Sequence, residues 1–299
     1  MAVYKRSYRP YDGSFTPQAS RFMVIPRYAF ASLFDSRPLL TFFIGCFFPT
    51  LLAIALIYIT NSPTARAVLS LNNLNTNQTD IFAVNGFFFV KYIICQGFLS
   101  FLLTAWVGPG LVSMDLSNDA LPLYLSRPFS RLDYLLGKFM VLAIMLSAIT
   151  WVPGLLLFGL QSSLAGWTWL SQNYWIAGSI VVGAWVWIIV LSLLVLAISA
   201  WIRWKIAATA LMLAIFFIGP GFGEAMNEIL RIHWGKLLNL GYLIGRVWYG
   251  LFRVPSTELG DIQRFRDVPL WSAWAVLTGV VLFSLFMLNK KLKAREVVR

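Results

Sequence analysis

Apolar residues in this chain come in long blocks separated by short polar interruptions. Between Lys138 and Arg203 there is not one Asp, Glu, Lys, Arg or His. The blocks lack the polar three-and-four spacing of a soluble amphipathic helix. A water-soluble core cannot hide so long an uncharged run, whereas a bilayer takes about 20 apolar residues per helix. The charge gaps mark six spans, roughly Leu39–Thr60, Tyr92–Val112, Phe139–Leu160, Trp175–Trp201, Ile206–Phe222 and Leu270–Leu288. The predicted fold is all-α: a polytopic membrane protein with six transmembrane helices. Gln161–Tyr174, uncharged and rich in Trp, Ser and Gly, reads as the loop between the third and fourth. Trp167, Trp169, Trp175, Trp201, Trp204, Trp271 and Trp274 fall near span ends, where the amphipathic indole prefers the headgroup zone.

Two segments outside the spans also carry helical patterning. Residues 1–20 have no periodicity and read as an extended tail. After them Phe30, Leu33 and Phe34 share one helical face, while Arg27, Asp35 and Ser36 turn away. Pro26 suits the start and Pro38 the stop. The pattern predicts an N-terminal amphipathic interfacial helix on the inner leaflet. Residues 1–38 are then a cytoplasmic unit ahead of a six-span domain, 39–299. Between the fifth and sixth spans, 223–269 reads as an external helical segment. Glu228, Arg231, Asn239, Arg246 and Arg253 fall in one sector, with Met226, Ile229, Leu237, Leu240, Ile244, Val247 and Trp248 opposite. Gly235, Gly241, Gly245 and Gly250 permit a break into two pieces, and the arginines suit lipid phosphates or an anionic substrate. Breakers also mark the spans: Pro49 in the first, Gly108-Pro109-Gly110 closing the second, Pro153-Gly154 in the third, and Gly219-Pro220-Gly221 closing the fifth.

Composition and charge narrow the function. Of 299 residues 12% are charged, where a soluble domain carries about 25%. Counted along the sequence, sixteen Lys and Arg fall on the side of the N-terminus and seven on the other, with Lys91 set aside near the outer end of the second span. Positive residues favour the cytoplasm, so both termini are expected inside. This bias and anionic lipid account for the net charge of +12. No basic–aromatic ladder points to nucleic acid. The first 37 residues carry Arg and Pro throughout and lack an apolar core, so no secretory signal is expected. Cys46 and Cys95 lie within spans and suit buried small hydrophobes rather than a disulfide. His233 is the only histidine, which rules out a multi-His metal centre in one chain. Neither Gly137-Lys138 nor Gly235-Lys236 has the glycine and Ser/Thr spacing of a phosphate-binding loop. Spans almost free of ionisable groups argue against a proton relay.

The exception to the apolar pattern is Asp115–Lys138, with six charged residues and two prolines. Ser130 can cap a helix, Asp133 completes a capping box, and Phe129 and Tyr134 are spaced for a hydrophobic staple. Upstream, Asp115 or Ser117 can cap a short helix through Ala120–Leu125 that places Leu121, Tyr124 and Leu125 on one side. A rigid Ser126-Arg127-Pro128 corner follows. The run ALPLYLSRPFSRLDYLLGK resembles the first cytoplasmic loop of permease subunits of ABC type-2 transporters, mostly bacterial exporters. Ser126, Arg127, Pro128, Ser130, Arg131, Tyr134, Gly137 and Lys138 carry the likeness. The resemblance implies a membrane-spanning permease in the bacterial plasma membrane, paired with a second permease chain. ATP and Mg would be held by a separate ATP-binding subunit, with no cofactor in this chain. Within a coupling loop at 113–138, Leu121, Tyr124, Leu125, Ser126, Arg127, Pro128, Ser130, Arg131, Asp133 and Lys138 would meet that subunit. The transported substrate is not specified by these residues. A non-transporting membrane anchor or assembly subunit would use the same loop for docking, and a lipid-modifying enzyme lacks an acid, base and metal cluster.

Overall fold

The computed structural model describes residues 22–62, 84–118, 130–231, 234–254 and 268–294. Among these there are helices and no strand, and six helical stretches are long and apolar enough to cross a membrane. The chain is an all-α, multi-pass membrane protein.

A short helix α1 (Val24–Phe34) precedes the first span, which is built from α2 (Arg37–Gly45) and α3 (Phe48–Asn61). Pro38 opens α2 at its first turn as well as ending α1. The break between α2 and α3 has a local cause. Pro49 has no N–H for the Gly45 carbonyl, and the chain turns at Cys46 and Phe47. Gln96, fully buried in the second span, braces the turn. Its Nε2 donates to the Cys46 carbonyl and to Thr50 Oγ1, each at 3.1 Å.

The second span, α4 (Gly86–Ser117), runs past both ends of its predicted range. The charges that marked those ends are accommodated instead of excluded. Lys91 places its ammonium 4.1 Å from the centre of the Phe87 ring, and Asp115 is paired within the protein. Nor does Gly108-Pro109-Gly110 close this helix. The carbonyl that Pro109 leaves without a donor, Ala105 O, accepts from Thr209 Oγ1 at 3.3 Å. One turn on, Ser199 Oγ accepts from Ser113 N–H at 2.8 Å and donates to Pro109 O at 2.6 Å. A hydroxyl from another helix thus sits in the backbone ladder, and the helix continues through its proline.

The third span joins α5 (Arg131–Ile149) to α6 (Trp151–Ala165) at Thr150, three residues before Pro153, which has no N–H for the Ile149 carbonyl. The loop expected at Gln161–Tyr174 contracts to the single residue Gly166, at φ 86°, before α7 (Trp167–Trp201). Serine and asparagine misled the reading there. Ser162, Ser163, Ser171 and Asn173 each donate to a carbonyl three or four residues back and sit within helix. Helix α7 is the axis of the bundle. Of its apolar window 72% is buried, against 17% for the fifth span, α8 (Lys205–Leu230). Gly219-Pro220-Gly221 does not close α8, which continues to Leu230.

Between the fifth and sixth spans the single polar sector predicted on one wheel is absent. Arg231 takes a left-handed conformation (φ 51°) and ends α8. A 3-10 turn (Trp234–Leu238) follows, and Asn239 caps α9 (Leu240–Leu251) by accepting from Tyr242 N–H at 2.9 Å. The break falls beside Gly235, whose backbone packs against Gly223, while Gly241, Gly245 and Gly250 lie inside α9. Helix α9 is buried along most of its length against neighbouring spans, and α10 (Leu270–Ala294) completes the six.

Candidate functional site

At one end of the bundle the polar residues of α4 and α5 converge. Asp115 lies in the last turn of α4, where a carboxylate is disfavoured by the helix dipole and needs a partner. Tyr134 and Lys138, four residues apart, share the face of α5 turned toward it. Asp115 Oδ2 accepts from Tyr134 Oη and from Lys138 Nζ, each at 2.8 Å. The Lys138 ammonium is also 5.6 Å from the centre of the Tyr134 ring. Tyr134 and Lys138 are buried, at 2% and 7% exposure. Their groups are shielded from water, so the pairing is stronger than a surface contact.

The start of α5 is fixed independently. Ser130 Oγ accepts from Asp133 N–H at 3.1 Å, and Asp133 Oδ2 accepts from Ser130 N–H at 3.0 Å. This is the reciprocal capping box that the spacing predicts. Gly137, between the clasp residues, is a close-approach position. A Cβ there would lie 2.7 Å from Ile25 Cδ1 and 3.0 Å from Phe22 O. Helix α1 therefore seats its apolar side (Ile25, Pro26, Phe30, Leu33) on the protein, against α5.

Cationic residues gather at the same end. Lys205, at the start of α8, lies 3.6 Å from the Cβ position of Gly110. The Lys291 ammonium is 4.9 Å from the centre of the Trp201 ring. Trp201 Nε1 donates to Met287 O at 3.3 Å, which brings the C-terminal helix to this end. No protein-family model and no curated protein matches the chain.

Of the residues predicted for coupling, Ser130 and Asp133 form the capping box, and Arg131 begins α5. Lys138 is turned into the protein. Leu121, Tyr124, Leu125, Ser126, Arg127 and Pro128, and with them the short helix and Phe129, lie outside the described residues. Asp115 and Ser117 lie within α4, and the short helix they were expected to cap falls outside the described residues. Sequence reasoning missed the role of Asp115 as the acceptor that joins the two helices. Its signal was a carboxylate ending one apolar run and a lysine beginning the next, two charges that lipid forces to find each other.

Proposed function

We propose that this chain is the membrane-spanning permease subunit of an ATP-driven exporter of the ABC type-2 kind. It forms the translocation pathway with a second permease chain and is coupled through its first cytoplasmic loop, 113–138, to a separate ATP-binding subunit, which holds ATP and Mg. It resides in the bacterial plasma membrane with both termini in the cytoplasm. The observation that carries this reading is the framing of the coupling segment. On one side stands Asp115, tied to Tyr134 and Lys138; on the other stands the Ser130–Asp133 capping box. The two helix ends that flank the segment are tied to each other, so a push delivered to either end reaches both spans. The positive charge at this end favours the cytoplasm, where ATP is available.

The test begins with purification of the full chain from native membrane, which is expected to bring a phosphate-loop ATPase with it. In the reconstituted complex, Arg127→Glu and Tyr124→Ala are expected to lower transport-coupled ATP turnover while the subunits stay assembled. Unchanged coupling in both variants sinks the reading. Purified complexes without any ATPase favour a membrane anchor or assembly subunit instead.

A further inference from the structure

At the opposite end of the bundle, α7 and the end of α9 enclose an open cleft of about 370 Å³. Trp175, Gly178 and Val182 of α7 form one wall, with Gly250, Leu251 and Arg253 facing them. Ser179 ties the two walls together, its one hydroxyl proton shared between Leu251 O at 2.9 Å and Trp175 O at 3.0 Å. Arg253 stands at the rim with its guanidinium 5.2 Å from the centre of the Trp175 ring. Among the described residues it has no carboxylate partner, and the Trp175 indole N–H has no acceptor. Arg253 is also held in the left-handed region, at φ 47°, which is unfavourable for an arginine. Two bonds of the turn keep it there, Arg253 N–H to Gly250 O at 3.3 Å and Val254 N–H to Tyr249 O at 3.4 Å. Apolar surface is open along the α7 wall of the cleft. A Cβ at Gly178 meets nothing within 4 Å, and Val182, one turn further along α7, is 46% exposed.

A cation without a carboxylate partner, stacked on an indole beside a cleft with an exposed apolar wall, is complementary to one kind of molecule. We infer that this cleft holds the headgroup of a single anionic phospholipid. Arg253 and the Trp175 indole N–H receive the phosphate oxygens, and the first acyl carbons lie over Gly178 and along Val182. Guanidinium matches phosphate by charge and by paired N–H donors. The cleft lies at the Gly86 end of α4, away from Asp115, and its occupancy involves no ATPase.

The experiment is native mass spectrometry of the full chain in dodecylmaltoside with dioleoylphosphatidylglycerol. Dioleoylphosphatidylcholine and inorganic phosphate serve as competitors. Phosphatidylglycerol is expected to be retained. Phosphatidylcholine, which carries its own cation beside the phosphate, displaces it weakly, and inorganic phosphate, lacking a chain, does not displace it. Arg253→Gly removes the guanidinium yet suits the left-handed backbone, so an unchanged or raised melting temperature should accompany about tenfold weaker retention. Gly178→Leu fills the cleft and leaves Arg253 in place, and it should produce a loss of similar size. Wild-type retention in either variant overturns the assignment. Displacement by inorganic phosphate overturns it too.

Discussion

Lys138 shows how one side chain can be read in two ways. In the sequence it belongs to a motif that faces a partner, but in the fold its ammonium contacts Asp115 and the Tyr134 ring. The side chains of Lys138 and Asp115 are 9% and 17% exposed, so removing either leaves the other charge largely shielded and without its partner. Lys138→Met is therefore expected to destabilise the protein by about 3 kcal/mol, the low end of the range for breaking a buried pair from one side. Replacing both, as Asp115→Leu with Lys138→Met, should recover most of that loss, because no buried charge remains. Thermal unfolding of the two single variants and the double variant in detergent gives the coupling directly. Additive losses would show that the pair is not coupled. Gln96 makes a similar point at the other break in the chain. It is polar and fully buried, and it is there because the Cys46 carbonyl needs a donor.

At the scale of elements, the six spans were legible because hydrocarbon thickness sets the length of an apolar run. Their ends were not. Lys91, Asp115 and Lys138 were treated as limits, yet all three sit inside helices beside partners that no local pattern specifies. The prolines failed as stop signals for the same reason: Ser199 and Thr209 supply from other helices what Pro109 removes. At the candidate site the capping box was readable, since it spans only four residues, whereas the clasp joins positions 115 and 138 and needed the fold. Helix α9 is the largest element-scale departure. It was expected as part of one external helical segment with a single polar sector, but its Trp248 is driven between α4 and α7. Trp248 Nε1 donates to Gly183 O at 2.9 Å, and a Cβ on Gly97 would lie 2.5 Å from its ring. The Trp187 ring, 5.8 Å away by centroid, closes the contact, and Trp187 Nε1 bonds to Ser100 Oγ at 2.8 Å. Gly97→Ala should push this wedge out, costing about 1–3 kcal/mol as overpacking does. A second change, Trp248→Phe, should restore part of the loss by shortening the ring. Near-ultraviolet circular dichroism and melting temperature together read both effects. A stable Gly97→Ala variant with an unaltered aromatic spectrum would show that α9 is not wedged there.

For the whole molecule, six crossings return the chain to the side on which it began. Helix α1, the Asp115 clasp, Lys205 and Lys291 lie at one end, with Gly166, the 3-10 turn and Arg253 at the other. Positive charge then sets which end faces the cytoplasm, because translocating Lys and Arg in short loops is disfavoured. Cysteine labelling can decide this, since the two native thiols can be removed as Cys46→Ala and Cys95→Ala. In that background Trp167→Cys and Glu228→Cys, both at exposed positions of the Gly166 end, should react with a membrane-impermeant maleimide in intact spheroplasts. Ser117→Cys and Arg203→Cys, exposed at the other end, should react only after the membrane is permeabilised. The reverse pattern would turn the protein over. The 119–129 segment would then face away from cytoplasmic ATP, and no ATPase could reach the clasped helices to drive them. Orientation therefore carries mechanistic weight: the exporter reading requires the clasp, the cationic helix ends and the ATP supply to share one side of the membrane.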